Sequence, residues 1–458
     1  MKLIYIPIEV KTRELITKLF FIANNIDENF IFFIGDKMAT KNATSSLGKG
    51  IYFYKSINWY DTPHINRIKN KGNVYISLDE EGGVTQSNKS NFLSILNRRS
   101  SELNVSLTDK IFTWGDFDFN GWRNKYKKYK NKIVKTGSPR FDLWRKEVYS
   151  KIFKDEILYL KKYAPYIFIP STFINSYDWL KKEIEHEKKM NKGNTKEPSS
   201  FLKKRIKQSK DSYKSYLAYV EMIKKLSIKF PKKKIIIKPH PKENLMDWKK
   251  KLNIKDKYTN IIINNKFDLT AYIAASESVI FTETIAGMQS AIMGKKTISY
   301  KIKGVNTLRN YADKCVPNTT KFKTLTEYLK KRSAVENFKY KKKLKERFYI
   351  TNKTTSKIIM ENIKKIKSEN VNIRFFYLKL KIYNIFYLLF DNLRFLFINL
   401  KNKIFDKSSF KSYSVKMPGG IKKEEIEKIF KSLGLINKVK IIRFGKNGFV
   451  IHKNLLRK

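Results

Sequence analysis

The sequence predicts two consecutive doubly wound α/β units, each Rossmann-like with a parallel sheet. Three observations carry this. Short β-branched runs alternate with amphipathic helical patterns. The series runs through once and begins again after a lysine-rich helix. The chain has 458 residues, more than one ordinary domain holds. Strands separated by helices pair in parallel through right-handed crossovers.

In the first unit, strands are expected at 3–10, 30–34, 51–54, 73–78, 110–114 and 132–134, with a helix over 12–25. One long helix then runs from Asp142 to Tyr163. The second series has strands at 166–170, 234–238, 260–264, 278–281 and 297–300. Its helices span 177–229, broken by a polar loop near 191–200, then 269–275 and 284–293. Residues 372–400 read as a basic, aromatic amphipathic helix. A small β-α-β-β module follows, with strands at 412–417, 439–444 and 448–452 around a helix at 422–433. The expected domains are 1–142, 143–350, a helical segment 351–405 and the module 406–458.

The chain carries 97 Lys+Arg against 41 Asp+Glu, a formal charge of +56. Such an excess favours anionic partners. The lysines are scattered, and Ile, Lys, Asn, Phe and Tyr are all abundant, so a solvated lysine surface is the favoured reading. Clustered arginines with aromatic platforms are missing, which argues against a nucleic-acid binder. Cys315 is the one cysteine, so an intrachain disulfide and a cysteine-based zinc site are excluded, and a reducing, cytoplasmic setting fits. The apolar run at the N-terminus is too short for a signal peptide. No stretch offers about 18 uncharged apolar residues, the length of a spanning helix.

Four motifs stand at expected strand ends, where open α/β sheets bind ligands. Asp79-Glu80-Glu81-Gly82-Gly83 sets three carboxylates beside two glycines. Crowding is expected to raise at least one carboxyl pKa, which suits a general base. The glycines would let a substrate approach closely. The other reading is a polar loop with a helix cap. Lys238-Pro239-His240-Pro241-Lys242-Glu243 places a histidine at a helix start. There an imidazole can meet a leaving phosphate, or simply be a hydrogen-bonded loop residue. Thr282-Glu283-Thr284-Ile285-Ala286-Gly287 offers two hydroxyls, as caps or as a phosphate cradle, and small residues for a ligand to lie against. Thr136-Gly137-Ser138-Pro139-Arg140-Phe141-Asp142 reads as a turn, with Arg140 as a possible phosphate contact. Ser171 and Thr172 are weaker candidates of the same kind. Asp116-Phe117-Asp118 has the Asp-x-Asp form of a metal site, but it sits among aromatics without further acids. No metal and no cofactor are expected.

Together these motifs resemble the bacterial surface carbohydrate biosynthesis proteins, a GT-B-like family. They are similar more widely to bacterial sialyltransferases and polysialyltransferases. The resemblance implies two facing Rossmann-like domains, an acceptor domain and a nucleotide-sugar donor domain. It also implies an inverting, metal-independent glycosyltransferase of capsule or O-antigen assembly. In that pattern the first acid is the base, pointing to Glu80, with Glu81 as the alternative. His240, Thr282 and Thr284 would hold the CMP phosphate. Lys238, Pro241, Lys242, Glu243, Glu283, Ser171, Thr172 and Arg140 would complete the donor site. The Lys-Pro-His-Pro stretch is also similar to CDP-glycerol glycerophosphotransferases. A non-catalytic scaffold of polysaccharide assembly is the remaining alternative. The partners implied are a nucleotide-sugar donor and a glycan or lipid-linked acceptor. The segment 372–400 is expected either to dock on the inner face of the cytoplasmic membrane or to pack across the two domains.

Overall fold

The computed structural model describes residues 1–80, 82, 96–97, 99–173, 181, 185, 200–241, 243–253, 258–305, 311–331, 338–404 and 416–454, with backbone alone at 200–205, 208, 311, 338–339 and 390–404. Two compact units result. One comprises Met1–Gly83, Lys89–Ile152 and Lys345–Lys458; the other is centred on Phe153–Leu344.

The first unit holds β1 (Lys2–Ile8), β2 (Phe30–Asp36), β3 (Ile51–Tyr54), β4 (Val74–Leu78), β5 (Lys110–Thr113) and β6 (Ile133–Lys135). The second holds β7 (Tyr166–Pro170), β8 (Lys234–Lys238), β9 (Ile261–Ile263), β10 (Ser278–Phe281), β11 (Lys296–Tyr300) and β12 (Asn318–Thr319). The chain then returns to the first unit for β13 (Val439–Phe444) and β14 (Gly448–Lys453). β1 to β6 are parallel in the order β2-β1-β3-β4-β5-β6. β7 to β12 are parallel in the order β12-β11-β10-β7-β8-β9. Both orders reverse direction beside the first strand of the unit, between β1 and β3 and between β7 and β10. Such a switch point leaves a crevice at the carboxyl ends of the strands. Residues such as Ile31–Ile34 and Ile235–Ile237 are buried on both sheet faces, which is why these strands read as continuous apolar runs.

Two expectations change. Residues 406–458 do not form a separate module, because β14 pairs antiparallel with β2 and β13 pairs with β14, extending the first sheet. Two glycines make this possible. Gly448 lies opposite Gly35. A Cβ on Gly448 would come within 2.7 Å of the Phe33 ring, and one on Gly35 within 3.1 Å of the Asn447 carbonyl. The expected strand at 412–417 lies largely outside the described residues. Second, the long helix expected over 142–163 is a 3-10 turn, Pro139–Trp144, followed by helices Lys146–Ile152 and Lys154–Lys161. They part at Phe153, which is buried and marks the boundary between the units. Of the helix expected over 177–229, Ser200–Lys229 is described and is helical, as expected; the polar loop expected near 191–200 lies outside the described residues except for Ser200.

The helix Ile373–Ile404 packs on β13 and on the helix Lys37–Ser46. Its Phe376 and Leu380 join the first core with Tyr5, Phe33, Phe444 and Val450. The second core gathers Ile167, Ile235, Trp248 and Ile280 around the buried face of helix Ser200–Lys229.

Candidate functional site

In the first unit, Glu80 follows β4 and is 8% exposed. Its amide donates to the Lys55 carbonyl at 3.2 Å, which ties the end of β4 to the end of β3. The Arg140 guanidinium lies 3.4 Å from one carboxylate oxygen, and the Lys18 ammonium 3.8 Å from the other. Ile6, Phe21, Phe53, Leu78 and Pro139 line the small cavity beside it. The expected crowding of carboxylates is not what the structure shows for the two described acids. Asp79 turns away to Arg99 at 2.9 Å, and Glu80 faces cations. Glu81 and Gly83 lie outside the described residues. Gly82 makes room for protein rather than ligand, since a Cβ there would lie 2.4 Å from the Trp114 indole. That indole donates to the Asp79 carbonyl at 2.7 Å.

Lys18 belongs to a wider charged network. Its ammonium donates to Glu14 at 2.9 Å and to the Pro7 carbonyl at 2.8 Å. Glu14 is fully buried and accepts from the amides of Glu9 and Val10 at 3.0 and 3.2 Å. Burial pushes its carboxyl up, but Lys18 and the Glu9 amide overcome this and hold it down at about 2. At the β1/β3 switch point, Glu9 takes Lys37 and Lys55, each at 2.7 Å. Burial opposes these cations too, yet they hold Glu9 well below the usual carboxylate range. Among these carboxylates Glu80 is the loosely held one. Its contacts stand at the edge of hydrogen-bonding distance, which leaves its oxygens acceptor capacity.

The motif around Arg140 divides its labour. Asp142 is fully buried and accepts from the Thr355 amide, the Ser356 amide and the Ser356 hydroxyl at 2.8, 2.8 and 2.7 Å. It therefore clamps the start of helix Thr355–Lys364. Gly137 has φ +83°, and a Cβ on it would lie 2.6 Å from the Tyr349 carbonyl. Only Arg140 turns to Glu80, so its partner is the acid of its own unit. In the Asp-x-Asp stretch, Asp116 pairs with Lys135 at 2.5 Å. Asp118 is pushed up to about 7 by burial, against the pull of Arg347. No group of metal-binding side chains occurs among the described residues.

In the second unit, the ends of β10, β7 and β8 are level: Ser278 pairs with Ile167, and Pro170 with Lys238. The loops after these strands carry Thr282, Ser171 and His240. His240 is half-buried, and Pro241 is exposed. The His240 carbonyl accepts the Glu243 amide at 2.8 Å, closing the turn. Glu243 is a brace for that turn. It accepts from Ser171, from the Phe173 amide at 2.7 Å and from the Trp248 indole at 2.9 Å. Burial raises its pKa despite these donors. Lys238 donates to the carbonyls of Phe267 and Asn265 at 2.9 and 3.3 Å, and burial lowers its pKa. Ser171, Glu243 and Lys238, expected as ligands of a donor, thus have partners within the protein. Lys242 lies outside the described residues. Thr172 is half-buried beside this brace.

Thr284 caps the helix Ile285–Ile292, accepting from the Ala286 amide at 3.3 Å. Its own hydroxyl hydrogen is left to donate. Glu283 takes φ +53°, a left-handed conformation that costs a glutamate about 1–2 kcal/mol. Its amide donates to Asp313 at 3.2 Å, and Ser299 holds the same carboxylate oxygen at 2.7 Å. The buried Thr282 hydroxyl neighbours the phenol of Tyr219. Gly287 accommodates the Phe281 ring, which a Cβ would approach to 2.1 Å, so the small residue serves helix packing.

Sequence reading had missed Lys18, Glu14, Glu9, Lys55 and Asp313. The one local signal was Glu14 four residues before Lys18 on a helix, the favourable order for an ion pair.

No family model matches the chain, and no curated protein matches it. Among solved structures, 81% of the chain is similar to the whole of the S. aureus MnaA–UDP co-structure, at 10% identity and a TM-score of 0.49. It is similar over 80% of its length to the whole of UDP-GlcNAc 2-epimerase from Methanocaldococcus jannaschii, at 13% identity and a TM-score of 0.47. It is also similar, over 80% of its length, to 88% of the wall teichoic acid polymerase TagF, at 11% identity and a TM-score of 0.43.

Proposed function

We propose that this chain is an inverting, metal-independent glycosyltransferase of bacterial surface polysaccharide assembly. Its donor is a nucleotide-activated sugar, of the CMP-linked acidic class. The observation that carries this reading is Glu80. It is a buried carboxylate at the carboxyl edge of a parallel sheet, and its contacts, 3.4 Å to Arg140 and 3.8 Å to Lys18, leave its oxygens room for a further hydrogen bond. Glu80 takes the proton of an acceptor hydroxyl as that oxygen attacks the anomeric carbon. The bond to the nucleotide phosphate breaks on the opposite face. Arg140 and Lys18 orient the carboxylate.

His240, Thr282 and Thr284 stabilise the departing phosphate. Thr284 stands at the amino end of a helix, whose amides and dipole favour an anion. Glu243, Ser171 and Lys238 hold the His240 turn and the strand ends in place. The acceptor is a glycan or a lipid-linked glycan, met at the inner face of the cytoplasmic membrane.

The test combines a thermal-shift panel of CMP, CDP, UDP and GDP with two variants. CMP alone should raise the melting temperature. Glu80→Gln should keep that shift and lose roughly 10²–10⁴ in turnover with a CMP-sugar. His240→Ala should lose roughly 10²–10³ and reduce the shift. Full activity in both variants rejects the assignment. Selective stabilisation by CDP moves the donor to the CDP-glycerol class.

A further inference from the structure

Over residues 373–389 the helix Ile373–Ile404 has two apolar faces, and among the described residues the sheet covers only one. At about 100° per residue, Phe376, Leu380, Tyr383 and Tyr387 fall on the inward face. There they meet β13, β14 and the helix Lys37–Ser46. Tyr387 hydrogen-bonds Ser46 at 3.0 Å, Tyr377 bonds His452 at 2.5 Å, and Asn384 accepts the Gly445 amide at 2.9 Å. The opposite face carries Phe375, Leu378, Ile382, Ile385, Phe386 and Leu389. Each is more than half exposed, Phe375 and Ile385 reaching 64%. This stripe covers about a third of the helix circumference.

Cations flank it. Lys379 lies along one border, and Arg374 and Lys381 along the other; all three are exposed. Lys440 of β13, whose ammonium is 5.0 Å from the Tyr377 ring, extends the second border. Between Glu369 and Asp391 the chain has no acidic residue. No helix among the described residues is long and apolar enough to cross a membrane.

We propose that this outward stripe docks on an anionic lipid bilayer, with the helix lying in the interfacial plane. The apolar side chains enter the boundary of headgroups and acyl chains, and the flanking cations meet lipid phosphates. A second copy of the chain is disfavoured as occupant, because it would set Arg374, Lys379 and Lys381 against themselves. The inference deepens the transferase reading, which meets its acceptor at a membrane, but its test stands apart from it, since binding is measured without donor or acceptor.

Removing everything after Glu369 would strip β13 and β14 from the first sheet, so point substitutions on the exposed face are the proper probe. Full-length protein is floated with neutral phosphatidylcholine vesicles and with vesicles containing roughly a third phosphatidylglycerol. The unaltered chain should float with the anionic vesicles alone. Leu378→Ser with Ile385→Ser should weaken partitioning ~100-fold. Lys379→Glu with Lys381→Glu should weaken it about tenfold or more, and should reduce its salt dependence. Far-UV circular dichroism and melting temperature should stay unchanged in both variants. The proposal is overturned if the unaltered chain floats with neither vesicle, or if both variants float as it does. It is equally overturned if the apolar variant converts a dimer to a monomer while vesicle binding stays intact, which would assign the stripe to a second copy.

Discussion

The Ser171 hydroxyl lies 2.6 and 2.8 Å from the two carboxylate oxygens of Glu243, so the loop after β7 is bolted to the His-Pro turn after β8. Glu243→Ala leaves the Phe173 amide and the Trp248 indole N–H without their acceptor in a buried setting. Each orphaned donor costs about 1–3 kcal/mol. Denaturant unfolding should show a loss of that order. Affinity for the stabilising nucleotide should fall with it, because His240 loses its brace. Unchanged stability would mean that the brace is not formed.

Glu14 and Glu243 give opposite responses to pH. The Glu14 pKa is depressed in the folded chain to about 2 from an ordinary 4.5. Its stabilisation is present above pH 4.5 and disappears as pH falls from 4.5 toward 2. The amount is on the order of 3 kcal/mol. Glu243 is raised, so its proton-linked stabilisation is present below the unfolded pKa and lost as pH rises through the folded value. Unfolding followed from pH 2 to 7 should therefore flatten on the acid side in Glu14→Gln. Glu243→Gln should remove a decline on the side toward neutrality. A profile unchanged by Glu14→Gln would refute the buried ion pair with Lys18.

Asp142 and Arg140, two residues apart, should separate cleanly. Asp142→Ala removes the acceptor of three short hydrogen bonds at the start of helix Thr355–Lys364. It should destabilise by about 2–4 kcal/mol and affect turnover only through folding. Arg140→Ala removes a long contact to Glu80 and the guanidinium 5.9 Å from the Trp114 ring centre, and should leave the melting temperature nearly unchanged. Its effect should appear in turnover, because the group that orients the Glu80 carboxylate has gone. A parallel loss of stability in both would assign Arg140 to structure.

The sheets were legible in sequence because both faces of the strands are covered, so Phe30–Ile34 and Ile235–Ile237 read as unbroken apolar runs. The β14–β2 pairing was not legible. It joins residues more than 400 positions apart, and either strand alone reads the same in a separate module. Nor was the surround of Glu80, since Lys18 and Arg140 reach it from distant helix and turn positions. The role of small residues misled: Gly82 and Gly287 look like room for a ligand, yet Trp114 and Phe281 fill that room. The Phe153 break was invisible because helical periodicity persists on both sides of it.

Gly287 offers a direct check on that last point. A Cβ would sit 2.1 Å from the Phe281 ring, so Gly287→Ala must displace the ring or the helix Ile285–Ile292. Overpacking of this kind costs about 1–3 kcal/mol. Phe281→Leu in the same chain should recover part of the loss, a coupling that a double-mutant cycle reads. Additive losses would show that the two residues do not compete for one space.

The hairpin carries the last test. β14 covers the edge of β2, and Phe444, Phe449, Val450 and Ile451 are all buried there. Deleting residues 439–458 would bare an unpaired edge flanked by the apolar residues Phe30 to Ile34. Exposed edges of that kind pair with other chains. The truncated protein should elute as aggregates, or expose enough apolar surface to bind a hydrophobic dye, while its second sheet, in another unit, keeps its helical and strand signal. A truncated chain that stays monomeric with an unchanged melting temperature would mean that the hairpin is not part of the first sheet in solution.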